Sequence, residues 1–182
     1  MMNIERIDVR KPLVTILILL MLTMAGCGKP SAGTLTGSAS DIMTQLRTAI
    51  ATALPADGVP KTEEVPLTAD VATQVGLTAA QFTDLVVDGT ISRALIMTVP
   101  HEMVLIRAKD AAAATQLKAA IASTYDPKKW ICVFPEQASV VESGQYVLLI
   151  AGTKVYATAA LDSFAKLAGT SGTINTFFTG AG

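Results

Sequence analysis

The stretch Glu102-Met103-Val104-Leu105-Ile106-Arg107-Ala108-Lys109-Asp110 decides the fold class of this chain. Glu102 to Ala108 is a short apolar run that reads as a strand. Asp110 then opens an alanine-rich segment that continues to Tyr125, in which Ala114, Leu117 and Ile121 recur at helical spacing. A carboxylate at that position accepts from the free N–H groups of a first helical turn, so Asp110 is the expected N-cap. The small alanines let such a helix lie close on a sheet.

On the N-terminal side of this unit, Leu85-Val86-Val87 and Ile91 to Val99 are strand-like, with Asp88-Gly89 between them as a tight turn or a bulge. Pro100 and His101 break the run before Glu102. On the C-terminal side, Asp126-Pro127-Lys128-Lys129 ends the helix, and Trp130 to Gln137 is irregular. Ala138 to Val141 and Tyr146 to Ala151 read as a hairpin joined through Glu142-Ser143-Gly144-Gln145. Thr153 is placed to cap a last helix whose Tyr156, Ala160, Phe164 and Leu167 share a face, and Gly169 is placed to stop it.

Further upstream, Ser40 or Asp41 is the expected cap of a helix carrying Ile42, Met43, Leu46, Ile50 and Leu54 on one face, closed by Pro55. Ala56 to Pro66 reads as loop, and Thr68 to Gly76 as a short helical turn. Thr78 with Gln81 three residues later has the pattern of a capping box. The resulting order is α-β-β-α-β-β-α. It predicts an α+β domain over residues 40–169, with a small antiparallel sheet of about four strands and helices packed mainly on one face. The Gly/Ser/Thr-rich tail, 170–182, is expected to fray, or to lay Phe177 and Phe178 on the core.

Before the domain lies a different kind of sequence. Leu13 to Met24 is an apolar run, too short for a membrane span of about 20 residues and long enough for the core of a signal peptide. It is preceded by Arg6, Arg10 and Lys11 and followed by Ala25, Gly26 and Cys27. Met24-Ala25-Gly26-Cys27 resembles the bacterial lipobox, with methionine where leucine is usual. The resemblance implies a signal peptide over 1–26, cleavage before Cys27, and a diacylglyceryl group on the Cys27 sulfur. Residues 27–39 then form a flexible tether of small and polar residues. The expected location is the extracytoplasmic face of the cell membrane, with the lipid on Cys27 as the anchor.

The chain has 14 basic and 15 acidic side chains. The segment before Cys27 holds Arg6, Arg10, Lys11, Glu5 and Asp8, so the remainder is slightly acidic. That balance argues against nucleic acid and against a polybasic membrane patch as partners. With Cys27 lipidated, Cys132 has no intramolecular partner and is expected as a buried, inert thiol among Trp130, Ile131, Val133 and Phe134.

Candidate chemistry is thin. His101 is the sole histidine. It is expected exposed in a turn, beside a Glu102 carboxylate that would raise its pKa. Catalysis would also need a nucleophile, and Ser92, Ser139 and Ser143 lie in no Gly-x-Ser-x-Gly context. One histidine and one free cysteine make no zinc set. Asp84 with Asp88, or Asp57 with Glu63 and Glu64, could hold calcium only weakly, because the spacing of a calcium loop is missing. Lys128-Lys129 reads as a solvated pair. Trp130, Phe134 and Tyr146 are the one aromatic group that could serve in binding, and they are more simply a cover over one end of the core. No catalytic residue, metal or cofactor is expected.

The segment Glu102 to Ala151 also resembles DUF4358, a family of bacterial lipoproteins of unknown function. The likeness rests on Glu102 to Asp110 entering a helix, on Phe134-Pro135-Glu136-Gln137, and on Ser143-Gly144-Gln145-Tyr146-Val147-Leu148-Leu149-Ile150. The helix is more alanine-rich than the family pattern, and Phe134 stands directly before Pro135 where the family has a tyrosine slightly earlier. The resemblance implies a fold and a location and carries over no catalytic residue. The favoured expectation is a non-catalytic interaction module of the envelope with an envelope protein as partner. A small-ligand-binding lipoprotein or transport accessory is the alternative, ahead of an envelope hydrolase.

Overall fold

The computed structural model describes residues 35–96, 98–130 and 132–180. The expected signal segment, Cys27 and most of the expected tether lie outside the described residues. The folded chain is α+β. Among the described residues, four α-helices, α1 (Ala39–Ala53), α2 (Ala79–Leu85), α3 (Ala111–Thr124) and α4 (Lys154–Ala168), accompany one antiparallel sheet. Its strands are β1 (Thr62–Pro66), β2 (Val86–Ala94), β3 (Glu102–Ala108), β4 (Gln137–Ser143), β5 (Tyr146–Gly152) and β6 (Asn175–Thr179). They lie in the order β1-β2-β3-β5-β4-β6.

The sheet therefore has six strands where four were expected, and the element order differs accordingly. Both additions are edges. β1 lies in the segment expected as loop, and β6 in the tail, where it pairs with β4. Thr62-Glu63-Glu64-Val65-Pro66 is too polar to announce a strand. It is a short edge carrying charge and a proline, as solvent-facing edges do. β6 brings Phe177 and Phe178 onto the core, and Phe177 stands edge-on to Tyr125 with ring centroids 5.8 Å apart.

The helices also do not share one face. β3 and β5 are central and buried on both sides, so every second residue needs its own cover. On one face Met103, Leu105, Leu148 and Ile150 meet Ile42, Met43, Leu46 and Ile50 of α1, and Tyr156, Ala160 and Phe164 of α4. On the other, Val104, Ile106, Val147 and Leu149 meet Ala114, Leu117 and Ile121 of α3. Each such Leu, Ile or Phe contributes roughly 1.5–3 kcal/mol by leaving water.

Local signals operate where their partners are adjacent in sequence. Asp110 accepts from the Ala113 N–H at 2.7 Å, and Thr153 caps α4, which ends in Gly169 at φ 66°. Thr78 and Gln81 form the reciprocal box of α2. At α1 the cap is Ser38, two residues before the expected Ser40, with Asp41 as the reciprocal N3 residue. Asp88-Gly89 is a bulge inside the single strand β2, with the register shifting between Val86 and Asp88. Gly144 at φ 58° turns the β4–β5 hairpin.

Candidate functional site

Two elements meet at the end of the sheet where β2 passes into β3. One is the loop Leu95 to His101. The other is the irregular segment from Tyr125 to Glu136 that carries the chain from α3 to β4. They enclose a cavity of about 350 Å³ lined by Gln74, Arg93, Thr124, Asp126, Lys129 and Trp130, with Glu102 at its wall.

Lys129 organises this wall. Its ammonium donates to both carboxylate oxygens of Glu102, at 2.7 and 2.8 Å, and to the Gln74 carbonyl at 2.8 Å. It also stands 4.6 Å from the Tyr125 ring centroid and 5.2 Å from that of Trp130. Electron-rich ring faces attract a cation, and the attraction grows when water is kept away. Glu102 is buried, so its charge depends on this partner. The Tyr125 hydroxyl is buried without a hydrogen-bond partner. Burial, aided by the negative charge of Glu102, holds its pKa well above the usual phenol value.

His101 precedes Glu102, and its side chain goes to the other side of the sheet. Its ring meets Tyr156 edge-on at 4.6 Å, and its Nε2 has no partner. The expectation of an exposed histidine with a raised pKa is overturned. The imidazole is buried, and burial, with a smaller contribution from the Arg47 charge, lowers its pKa to about 4. The adjacent carboxylate does not reverse this, because alternation sends it to the opposite face, where Lys129 neutralises it. Beyond His101 a second cavity, of about 690 Å³, is lined by Pro55, Pro60, Ile96, Val99, Val155 and Tyr156.

The aromatic group expected from sequence is dispersed. Trp130 is buried against the α3 face, and Tyr146 is buried on the α1/α4 face, where its hydroxyl donates to the Gly37 carbonyl at 2.7 Å. Phe134 is exposed. Cys132 is exposed as well, with φ 63°, and not a buried thiol. The segment crosses the end of the sheet without regular pairing, so Trp130 turns inward while Cys132 and Phe134 stay out.

Three of the five carboxylates considered for calcium are engaged with other partners. Asp88 holds Arg107 and accepts from the Ala39 N–H at 2.8 Å. Glu63 pairs with Arg93, and Glu64 with Arg47, Ser40 and Thr90. The sequence reading missed Lys129, Gln74 and Tyr125 as members of the site. Lys128-Lys129 reads in sequence as a solvated pair, and nothing in its neighbourhood signals an acceptor 55 residues upstream. Searches of protein-family models, of curated proteins and of solved structures find no match to the chain.

Proposed function

We propose that this chain is a bacterial envelope lipoprotein, held at the extracytoplasmic face of the membrane by a diacylglyceryl group on Cys27. Its α+β domain is an interaction module that binds another envelope component and catalyses no reaction. The observation that carries this reading is the apolar run Leu13 to Met24 ending in Met24-Ala25-Gly26-Cys27. Each buried methylene contributes about 0.8 kcal/mol, so two acyl chains on one sulfur hold a domain stably where one holds it marginally. The likeness of Glu102–Ala151 to DUF4358 lipoproteins points the same way.

The test is made on the full chain in its host. Intact-mass and peptide analysis is expected to find an amino terminus at Cys27 bearing acyl chains, and a Cys27→Ala variant that keeps its signal peptide and takes up no labelled fatty acid. An unprocessed chain with a bare Cys27 thiol ends this reading.

A second reading, a small-ligand-binding lipoprotein, is favoured by the cavity of about 350 Å³ beside Lys129. Sites for small molecules begin at about that size. Native mass spectrometry separates the two, because a ligand-binding protein retains a discrete small molecule that a protein-binding module lacks.

A further inference from the structure

We infer that the cavity beside Lys129 takes a small zwitterion, a free amino acid with an aliphatic side chain. Its carboxylate is held by Arg93, its ammonium by Asp126, and its side chain lies against Ile96 and Val99. The assignment rests on the small-ligand reading above and names the class of ligand for that site.

The floor of the cavity is built and electrically settled. Glu102 and Trp130 are 6 and 9% exposed. The Lys129 ammonium commits all its N–H donors, to the two Glu102 oxygens and the Gln74 carbonyl. The floor therefore presents a ligand with a neutral pair.

Two charges of opposite sign stand at the rim, carried by different elements. Arg93 belongs to β2 and Asp126 to the segment after α3. In the strand register Arg93 is opposite Glu63 on one side and Glu102 on the other, so all three share a sheet face. Its Nε donates to Glu63 at 2.7 Å, the one guanidinium donor engaged among the described residues. That bond sets the plane of the fork and leaves both terminal nitrogens for a carboxylate, which arginine binds with two parallel hydrogen bonds. The Arg93–Glu63 pair is 45 and 43% exposed, so it contributes little and tolerates a second carboxylate. Asp126 accepts from the Lys128 N–H at 2.8 Å through Oδ1, and no side-chain cation pairs with it among the described residues. Its Oδ2 is open to an ammonium.

The two signs select the ligand. A phosphate or a dicarboxylate would set its second charge against Asp126 and Glu102. A simple amine would meet the Arg93 guanidinium. One charge of each sign on a single molecule gives both rim groups a counter-ion as water leaves. The volume, about 350 Å³, stands at the small end of the roughly 300–1,000 Å³ of ligand sites, which suits one amino acid and not a peptide. Ile96 and Val99 supply an exposed aliphatic wall, and covering it removes apolar surface from water.

The experiment titrates the full-length protein, extracted in detergent, with L-leucine by calorimetry. Two analogues of similar shape carry one charge each: leucinamide lacks the carboxylate, and 4-methylpentanoate lacks the ammonium. Each is expected to bind about tenfold more weakly than leucine, or worse, because each leaves a charged partner unmatched. Arg93→Gln is expected to bind leucine and leucinamide equally, and Asp126→Asn to bind leucine and 4-methylpentanoate equally. Both positions are exposed, so Trp130 fluorescence is expected to stay unchanged in both variants. No saturable binding of leucine, an analogue that binds as tightly as leucine, or a variant that keeps the parent's discrimination overturns the inference. Native mass spectrometry on the same preparation separates this failure from that of the underlying reading. A retained molecule that is uncharged, or charged with one sign only, ends the zwitterion assignment and keeps the ligand site. No retained molecule together with no leucine binding ends both.

Discussion

Lys129 satisfies Glu102 through both carboxylate oxygens, at 2.7 and 2.8 Å, across 27 residues of sequence. The pair closes the end of the α3 face and ties the irregular segment after α3 to the start of β3. Its value lies in mutual dependence, since Glu102 is buried and would be left charged and unpaired without the ammonium.

Removing one member is expected to cost more than removing both. Lys129→Met should destabilise the fold by about 3 kcal/mol, and Lys129→Met with Glu102→Gln by clearly less. Urea unfolding followed through Trp130, the sole tryptophan, reads both. A loss in the double variant equal to the sum of the Lys129→Met and Glu102→Gln losses measured singly would mean that the pair is not coupled.

His101 makes the fold sensitive to mild acid. Its folded pKa, about 4, lies below the ordinary 6.5, so the folded state prefers the neutral ring. The unfolded chain takes up a proton first as pH falls through 6.5, and stability declines until the folded ring also titrates near 4. Between pH 7 and pH 5 the loss attributable to His101 is about 2 kcal/mol. Urea midpoints at the two pH values should converge in His101→Gln, and a pH dependence unchanged by that substitution would contradict the assignment.

Asp88 joins three elements from the β2 bulge. It holds Arg107 of β3 and caps the Ala39 N–H at the start of α1. Asp88→Ala is expected to cost about 2 kcal/mol, because a partly buried guanidinium and a helix N–H both lose their acceptor. Faster hydrogen exchange in the first turn of α1, beyond that of β5, is the local readout.

β6 is expected to matter although it resembles a frayed tail. Phe177→Ala should lower stability by about 2 kcal/mol, less than the 3–5 kcal/mol of a fully buried phenylalanine, because Phe177 is half-buried. Thermal unfolding measures the loss. An unchanged midpoint would place β6 off the core.

Cys132 is expected to react with a maleimide in the folded protein as fast as an exposed thiol, since its side chain is open to solvent. Cys132→Ser should change stability by less than about 0.5 kcal/mol. Protection of the thiol until unfolding would return it to the core.

What the sequence determined by itself was local. The caps at Asp110, Thr78 and Thr153, the stop at Gly169 and the apolar faces of α1, α3 and α4 were legible, because their partners lie within one helical turn. The β4–β5 hairpin was legible for a similar reason. Tertiary structure alone decided the rest. β1 and β6 are short edge strands whose stability comes from the neighbours they pair with, so their own residues carry little strand signal. The covering of both sheet faces follows from β3 and β5 being central, which depends on the strand order. The Lys129 cage draws Gln74, Glu102, Tyr125 and Trp130 together from separate elements, and His101 lost its carboxylate neighbour to strand alternation. Such convergence is set by packing and by desolvation of charge, neither of which is encoded in the spacing of residues along the chain.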